Sequence, residues 1–85
     1  MKEVEFSPTA HHQLMEWEKN DEKVYLRIDE LLKAIQDEPF KGIGKPEPLK
    51  YQFQGYWSRR ITKKDRLVYQ VTHDAIIVIS CKYHY

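Results

Sequence analysis

Hydrophobic residues change period along this chain, and the changes mark its elements. In KEVEF (2–6) Val4 and Phe6 alternate with charged residues, which predicts a short strand with one apolar face. Ser7-Pro8 then reads as a helix start, with Ser as N-cap and Pro at the first helical position. Ala10, Leu14 and Trp17 follow at spacings of four and three, the buried stripe of a first helix. Asn20-Asp21 interrupts the pattern, and Asp21 is a suitable N-cap for a second helix. There Val24, Ile28, Leu31, Leu32 and Ile35 share one face. Pro39 closes that helix, so the pair predicts a helical hairpin with a short connection.

The segment FKGIGKPEPLK (40–50) holds two Gly and two Pro. It is expected to be a loop leading into a strand, because Pro46 and Pro48 deny the backbone regular pairing. From Tyr51 the period becomes two. Residues 51–53 and 56–61 flank Gln54-Gly55, which suggests a hairpin. Residues 62–65 form a polar turn, 66–72 another strand, His73-Asp74 a turn, and 75–83 the last strand. A strand, two helices and then consecutive antiparallel strands give a single α+β domain over residues 1–85. Both helices are expected on one face of a mainly antiparallel sheet. Alternation sends Leu67, Tyr69 and Val71 toward the helices and Arg66, Val68 and Gln70 to the other face. By the same parity Arg66, Lys82 and His84 are expected to line one open, polar face beside the loop carrying Glu47 and Lys50. Trp57, in phase with Ile61, is assigned to the core, and Cys81 packs as a small hydrophobe.

Composition narrows the function. With 41% hydrophobic and 13% aromatic residues, the 85-residue chain can bury one modest core, which excludes a separate substrate domain. A single cysteine excludes an internal disulfide and a multi-cysteine zinc site. His11 and His12 are adjacent on a helix and point in different directions, so no metal pair is expected from them. MKEVEFSPTA has no apolar signal-peptide region, and no stretch approaches the roughly 20 apolar residues of a membrane helix. A cytoplasmic protein without a membrane partner is expected. The net charge of +1 is split: residues 1–40 hold five Lys/Arg and ten Asp/Glu, whereas residues 41–85 hold nine and three. The second half is therefore basic by +6, a charge that attracts polyanions.

Cleaving RNA by internal attack needs a base for the 2′-hydroxyl, an acid for the departing 5′-oxygen and cations on the phosphate. Histidine titrates near neutrality, a carboxylate can accept a proton, and Arg can grip two phosphate oxygens. Aromatic rings add base stacking. The chain has candidates for each part, and composition alone does not select among them. The strings KPEPLK (45–50), GYWSRRIT (55–62), DRLVY (65–69) and CKYHY (81–85) resemble, in order, the core blocks of YoeB-type toxins of the RelE/ParE superfamily. The likeness also takes in the helical hairpin and Pro39-Phe40. It implies a RelE-like fold and a toxin of a type II toxin–antitoxin system. The implied activity is cleavage of mRNA in the ribosomal (70S) A site, without metal or cofactor, opposed by a cognate antitoxin. A homodimer is plausible on the same ground.

Carried across residue by residue, Glu47 resembles the general base and His84 the general acid, although the two labels could be exchanged. Arg66 resembles the arginine on the scissile phosphate, and Tyr85 the terminal tyrosine that helps hold the nucleotide. Lys50 and Arg60 correspond to supporting substrate-binding positions, and Lys82 joins them from its expected place on the open face. Two alternatives share the fold: a ParE-like gyrase poison, which lacks the Glu, Arg, His and Tyr set, and a non-catalytic RNA- or ribosome-binding module.

Overall fold

In the computed structural model, which describes residues 2–83, the chain runs β1 (Glu3–Phe6), α1 (Pro8–Asn20), α2 (Glu22–Asp37), β2 (Glu47–Pro48), β3 (Trp57–Arg60), β4 (Arg66–Val71) and β5 (Ala75–Ser80). Ser7 caps α1 by accepting the Ala10 N–H at 3.1 Å, with Pro8 at the first position. Asp21 serves both helices. Its N–H donates to the Trp17 carbonyl (2.8 Å) to close α1, and its Oδ1 accepts the Val24 N–H (3.3 Å) to start α2. One residue thus makes the hairpin connection, satisfying orphan groups at both helix ends.

The five strands form one sheet in the order β1-β5-β4-β3-β2. β1 lies parallel to β5, Glu3 opposite Ala75, and the remaining pairs are antiparallel. Ala10, Ile28, Leu31 and Ile35 from the helices close over Leu67, Tyr69, Ile76, Val78 and Cys81 from the sheet side. This is the expected α+β arrangement, with the helices on one face. Trp57 packs at the border of that core, tilted against Phe40 with ring centroids 4.8 Å apart.

Local expectations are corrected in three places. Glu47-Pro48 is paired, against Ser58 and Trp57 of β3. As the sheet edge, β2 needs hydrogen bonds on one side only, which is where a strand tolerates proline. Residues 51–53 form a 3-10 turn instead of a strand, with the Phe53 N–H on the Lys50 carbonyl and Tyr51 at φ 58°. The hairpin into β3 therefore has Glu47-Pro48 as its first arm. Finally, β5 ends at Ser80, and Ile79 is an extra residue where the β4–β5 register shifts: Tyr69 faces Val78 while Val68 faces Ser80. That bulge lets Val78 and Cys81, three residues apart, both join the core, which strict alternation forbids.

Arg59 is completely buried and carries its charge into the apolar layer. Its Nε donates to the Tyr69 hydroxyl (3.1 Å), Nη1 to the Ile43 carbonyl (3.0 Å), and Nη2 to the carbonyls of Glu38 (2.6 Å) and Lys41 (2.8 Å). Tyr69 in turn donates to the Pro39 carbonyl at 2.7 Å. One guanidinium thereby organises the segment between α2 and β2. Gly44, at φ 83°, has room for no side chain: a Cβ would lie 2.8 Å from Leu31 Cδ2.

Candidate active site

Neighbouring strands bring Glu47, Ser58 and Arg66 together. Glu47 is opposite Ser58 across β2 and β3, and Arg66 is opposite Arg60 across β3 and β4. Leu67 and Tyr69 turn to the helices, so Arg66 projects from the other face. From there Arg66 Nη1 donates to Glu47 Oε1 at 2.7 Å and to Ser58 Oγ at 3.3 Å. Arg66 is three-quarters covered, whereas the Glu47 side chain is 51% exposed, so the carboxylate stands at the surface against a held cation.

This setting keeps Glu47 ionised. The hydrogen bond from Arg66 draws its pKa below the ordinary 4.5, slight burial opposes this, and the charges of Arg66, Arg60 and Lys45 add to the lowering. Two arginines facing each other across β3 and β4 repel. Glu47 offsets part of that repulsion, and the remaining positive potential suits a phosphate. Arg66 keeps further donors for it, since a guanidinium carries five N–H groups and both bonds above leave from Nη1.

The other sequence-predicted residues divide. Arg60 is exposed next to the pair, and its N–H donates to the Gly44 carbonyl at 2.7 Å. Lys50 is exposed at the start of the 3-10 turn, followed by a Tyr51 ring that is 87% exposed. Lys82 does not join the face of Arg66. Beyond the bulge and the end of β5 it turns to α1, with Nζ 3.8 Å from Glu16 Oε1 and 5.7 Å from the centroid of Trp17. His84 and Tyr85 lie outside the described residues.

Sequence reasoning missed Asp65, an acid that is only 2% exposed. It also missed Arg59, although the Trp57, Arg59, Ile61 parity already pointed that arginine inward. Asp65 accepts the Thr62 hydroxyl at 2.8 Å and the Tyr83 N–H at 2.7 Å. From the opposite side Gln13 accepts the Cys81 N–H at 2.7 Å, and Trp17 Nε1 donates to the Cys81 carbonyl at 2.8 Å. Burial, with the Asp65 charge, pushes the Cys81 thiol up to about 12, so it is inert packing.

Comparison with known proteins agrees with this frame. A toxin YoeB of Synechocystis sp. is 46% identical over 82 residues, covering 96% of this chain and 95% of that protein. The YoeB dimer from Staphylococcus aureus superposes with a TM-score of 0.93 at 46% identity, over 99% of this chain and 98% of that one. The YoeB chain of a heterotetrameric YoeB-YefM toxin–antitoxin complex from Staphylococcus aureus does so with 0.92 at 45% identity, over 100% and 99%. The α+β arrangement described above is the fold these neighbours share. Residues 6–85 match the family described as the YoeB-like toxin of bacterial type II toxin–antitoxin systems, and the chain belongs to that family.

Proposed function

We propose that this toxin is a metal-independent endoribonuclease that cuts mRNA in the A site of the 70S ribosome in the cytoplasm and so stops translation. The observation that carries the reading is the Glu47–Arg66 pair, an exposed carboxylate held ionised 2.7 Å from a guanidinium on a sheet face bordered by Arg60. Glu47 accepts the proton of a ribose 2′-hydroxyl, whose oxygen attacks the adjacent phosphorus. Arg66 keeps Glu47 on Nη1, turns its remaining N–H donors to the phosphate and neutralises charge gathering on its oxygens. His84 protonates the departing 5′-oxygen, leaving a 2′,3′-cyclic phosphate and a 5′-hydroxyl. Tyr85 helps hold the nucleotide, and Lys50 and Arg60 steady the neighbouring phosphates. Lys82, turned to α1, is assigned no contact with the scissile group.

The relative that forms a complex with YefM supports an antitoxin as partner of this chain, and the YoeB dimer supports a homodimer. An acidic antitoxin segment laid over the Arg60–Arg66 face would deny it to RNA.

The test is an in vitro translation reaction on a defined mRNA, with cut ends mapped by primer extension. Ribosome-dependent cleavage at the A-site codon, lost in His84→Ala while ribosome binding persists, is the expected result. Intact mRNA with the wild-type toxin would reject the reading in favour of a binding poison.

A further inference from the structure

Beyond β2 the chain enters a turn whose strained residue leaves its side chain in solvent. Tyr51 stands at φ 58°, a left-handed conformation that suits Gly or Asn and is rare for an aromatic residue, yet its ring is 87% exposed. The bonds that fix the turn are backbone ones. The N–H groups of Phe53, Gln54 and Tyr56 donate to the carbonyls of Lys50 (3.1 Å), Tyr51 (3.0 Å) and Phe53 (3.0 Å). Any residue at position 51 could take part in them, so the fold does not account for a tyrosine there. Leu49, Lys50, Tyr51, Gln52 and Phe53 line one concavity of about 440 Å³, within the roughly 300–1,000 Å³ usual for small-ligand sites. Phe53 is itself set edge-on to Tyr56, with ring centroids 6.4 Å apart. The Leu49 N–H donates to the Tyr56 carbonyl at 2.9 Å and extends the β2–β3 pairing, so the turn continues the strand that carries Glu47. Four residues of chain reach at most about 14 Å, which bounds the distance from Tyr51 back to Glu47.

We propose that Lys50 and Tyr51 form a nucleotide subsite, in which the Tyr51 ring stacks on an unpaired base of the RNA strand and Lys50 meets that nucleotide's phosphate. The proposal extends the ribonuclease reading above and rests on it for the identity of the strand. An aromatic face beside a cation matches single-stranded RNA, because every base offers a π-face and every linkage a negative charge. Stacking accepts any base, so the subsite adds grip on the strand without selecting a sequence. A ring packed into the core would give the strained backbone a structural reason, and a ring 87% exposed does not.

The experiment titrates isotope-labelled toxin with a 2′-O-methyl RNA hexamer, which cannot be cut by 2′-oxygen attack, up to millimolar concentration, and follows backbone amides by NMR. Ring-current shifts are expected at the amides of residues 50–53. Affinity is expected to be on the order of tenfold weaker in Tyr51→Ala and Tyr51→Leu, and within about threefold of wild type in Tyr51→Phe and Tyr51→Trp. Lys50→Ala should lower the slope of log affinity against log salt by about 0.7, the loss of one phosphate contact. Tyr51→Gly is expected to lose affinity while its thermal midpoint holds or rises, since glycine relieves the strain. Unshifted amides, wild-type affinity in Tyr51→Leu or an unchanged salt slope in Lys50→Ala would overturn the proposal. So would a Tyr51→Gly midpoint lowered by more than about 4 °C, which would make the ring structural. Shifts of the same amides with toxin concentration alone would overturn it too, by assigning the ring to contact between copies. Cleavage on programmed ribosomes is scored separately. A wild type that binds the hexamer and cuts nothing loses the ribonuclease reading and keeps the subsite; one that cuts but leaves these amides unshifted does the reverse.

Discussion

Glu47 and Cys81 show how neighbours set what a side chain can do. Glu47 is exposed, so replacing it should hardly change stability, but it is the group whose ionisation the site organises. Glu47→Gln is expected to slow single-turnover cleavage by about 10²–10⁴-fold with little change in the thermal midpoint. Because Arg66 lowers its pKa, Glu47 stays ionised as the pH falls to its ordinary 4.5, so in the proposed role of base it is expected to lose activity only below that. A rate profile should therefore show no acid limb from Glu47 between pH 5 and 8. A limb near 4.5 or above that vanishes in Glu47→Gln would contradict the assignment. Cys81 is the opposite case. With its pKa at about 12, only roughly one thiol in 10⁴ is ionised at pH 8, so an aromatic disulfide reagent should label it only after unfolding.

Among the elements, the segment between α2 and β2 depends most on one residue. Arg59 satisfies three carbonyls and a phenol at once, and hydrogen bonds from a charged group contribute about 1.5–3 kcal/mol each. Arg59→Ala is expected to destabilise by at least about 3 kcal/mol in urea unfolding, and a loss under about 1 kcal/mol would show that solvent can replace the cage. Because β2 follows that segment directly, a milder Arg59→Lys should lose cleavage before it loses fold. The hairpin of β2 and β3 was legible only in outline. A Pro-rich stretch reads as loop, and the edge position that makes pairing possible belongs to the assembled sheet. The bulge at Ile79 was likewise hidden, since residues 75–79 are apolar at both parities and offer no polar residue to reveal a change of register.

At the scale of the molecule, the charge split becomes a spatial one around β3 and β4. Arg60, Arg66 and Lys45 act on the same carboxylate, so the basic surplus of residues 41–85 is partly focused at the site. Ribosome binding is expected to weaken by at least about tenfold between 50 and 200 mM salt, as release of counterions from several phosphates requires. Affinity independent of salt in a filter or sedimentation assay would remove phosphate contacts as its source.

The order of hydrophobic periods determined the helical hairpin, the strand-rich second half and the sharing of one sheet face by both helices, because period and capping chemistry are local properties. Glu47, Arg60 and Arg66 were legible as candidates through the blocks that contain them. That Glu47 meets Arg66, nineteen residues on, depended on two strand pairings, and no local signal states a register. The departure of Lys82 to α1, the burial of Asp65 and the cage of partners around Arg59, whose inward direction strand parity already indicated, were decided by tertiary packing. In each case a charged group settled where distant backbone or side-chain partners could satisfy it, and such partners exist only once the chain is folded.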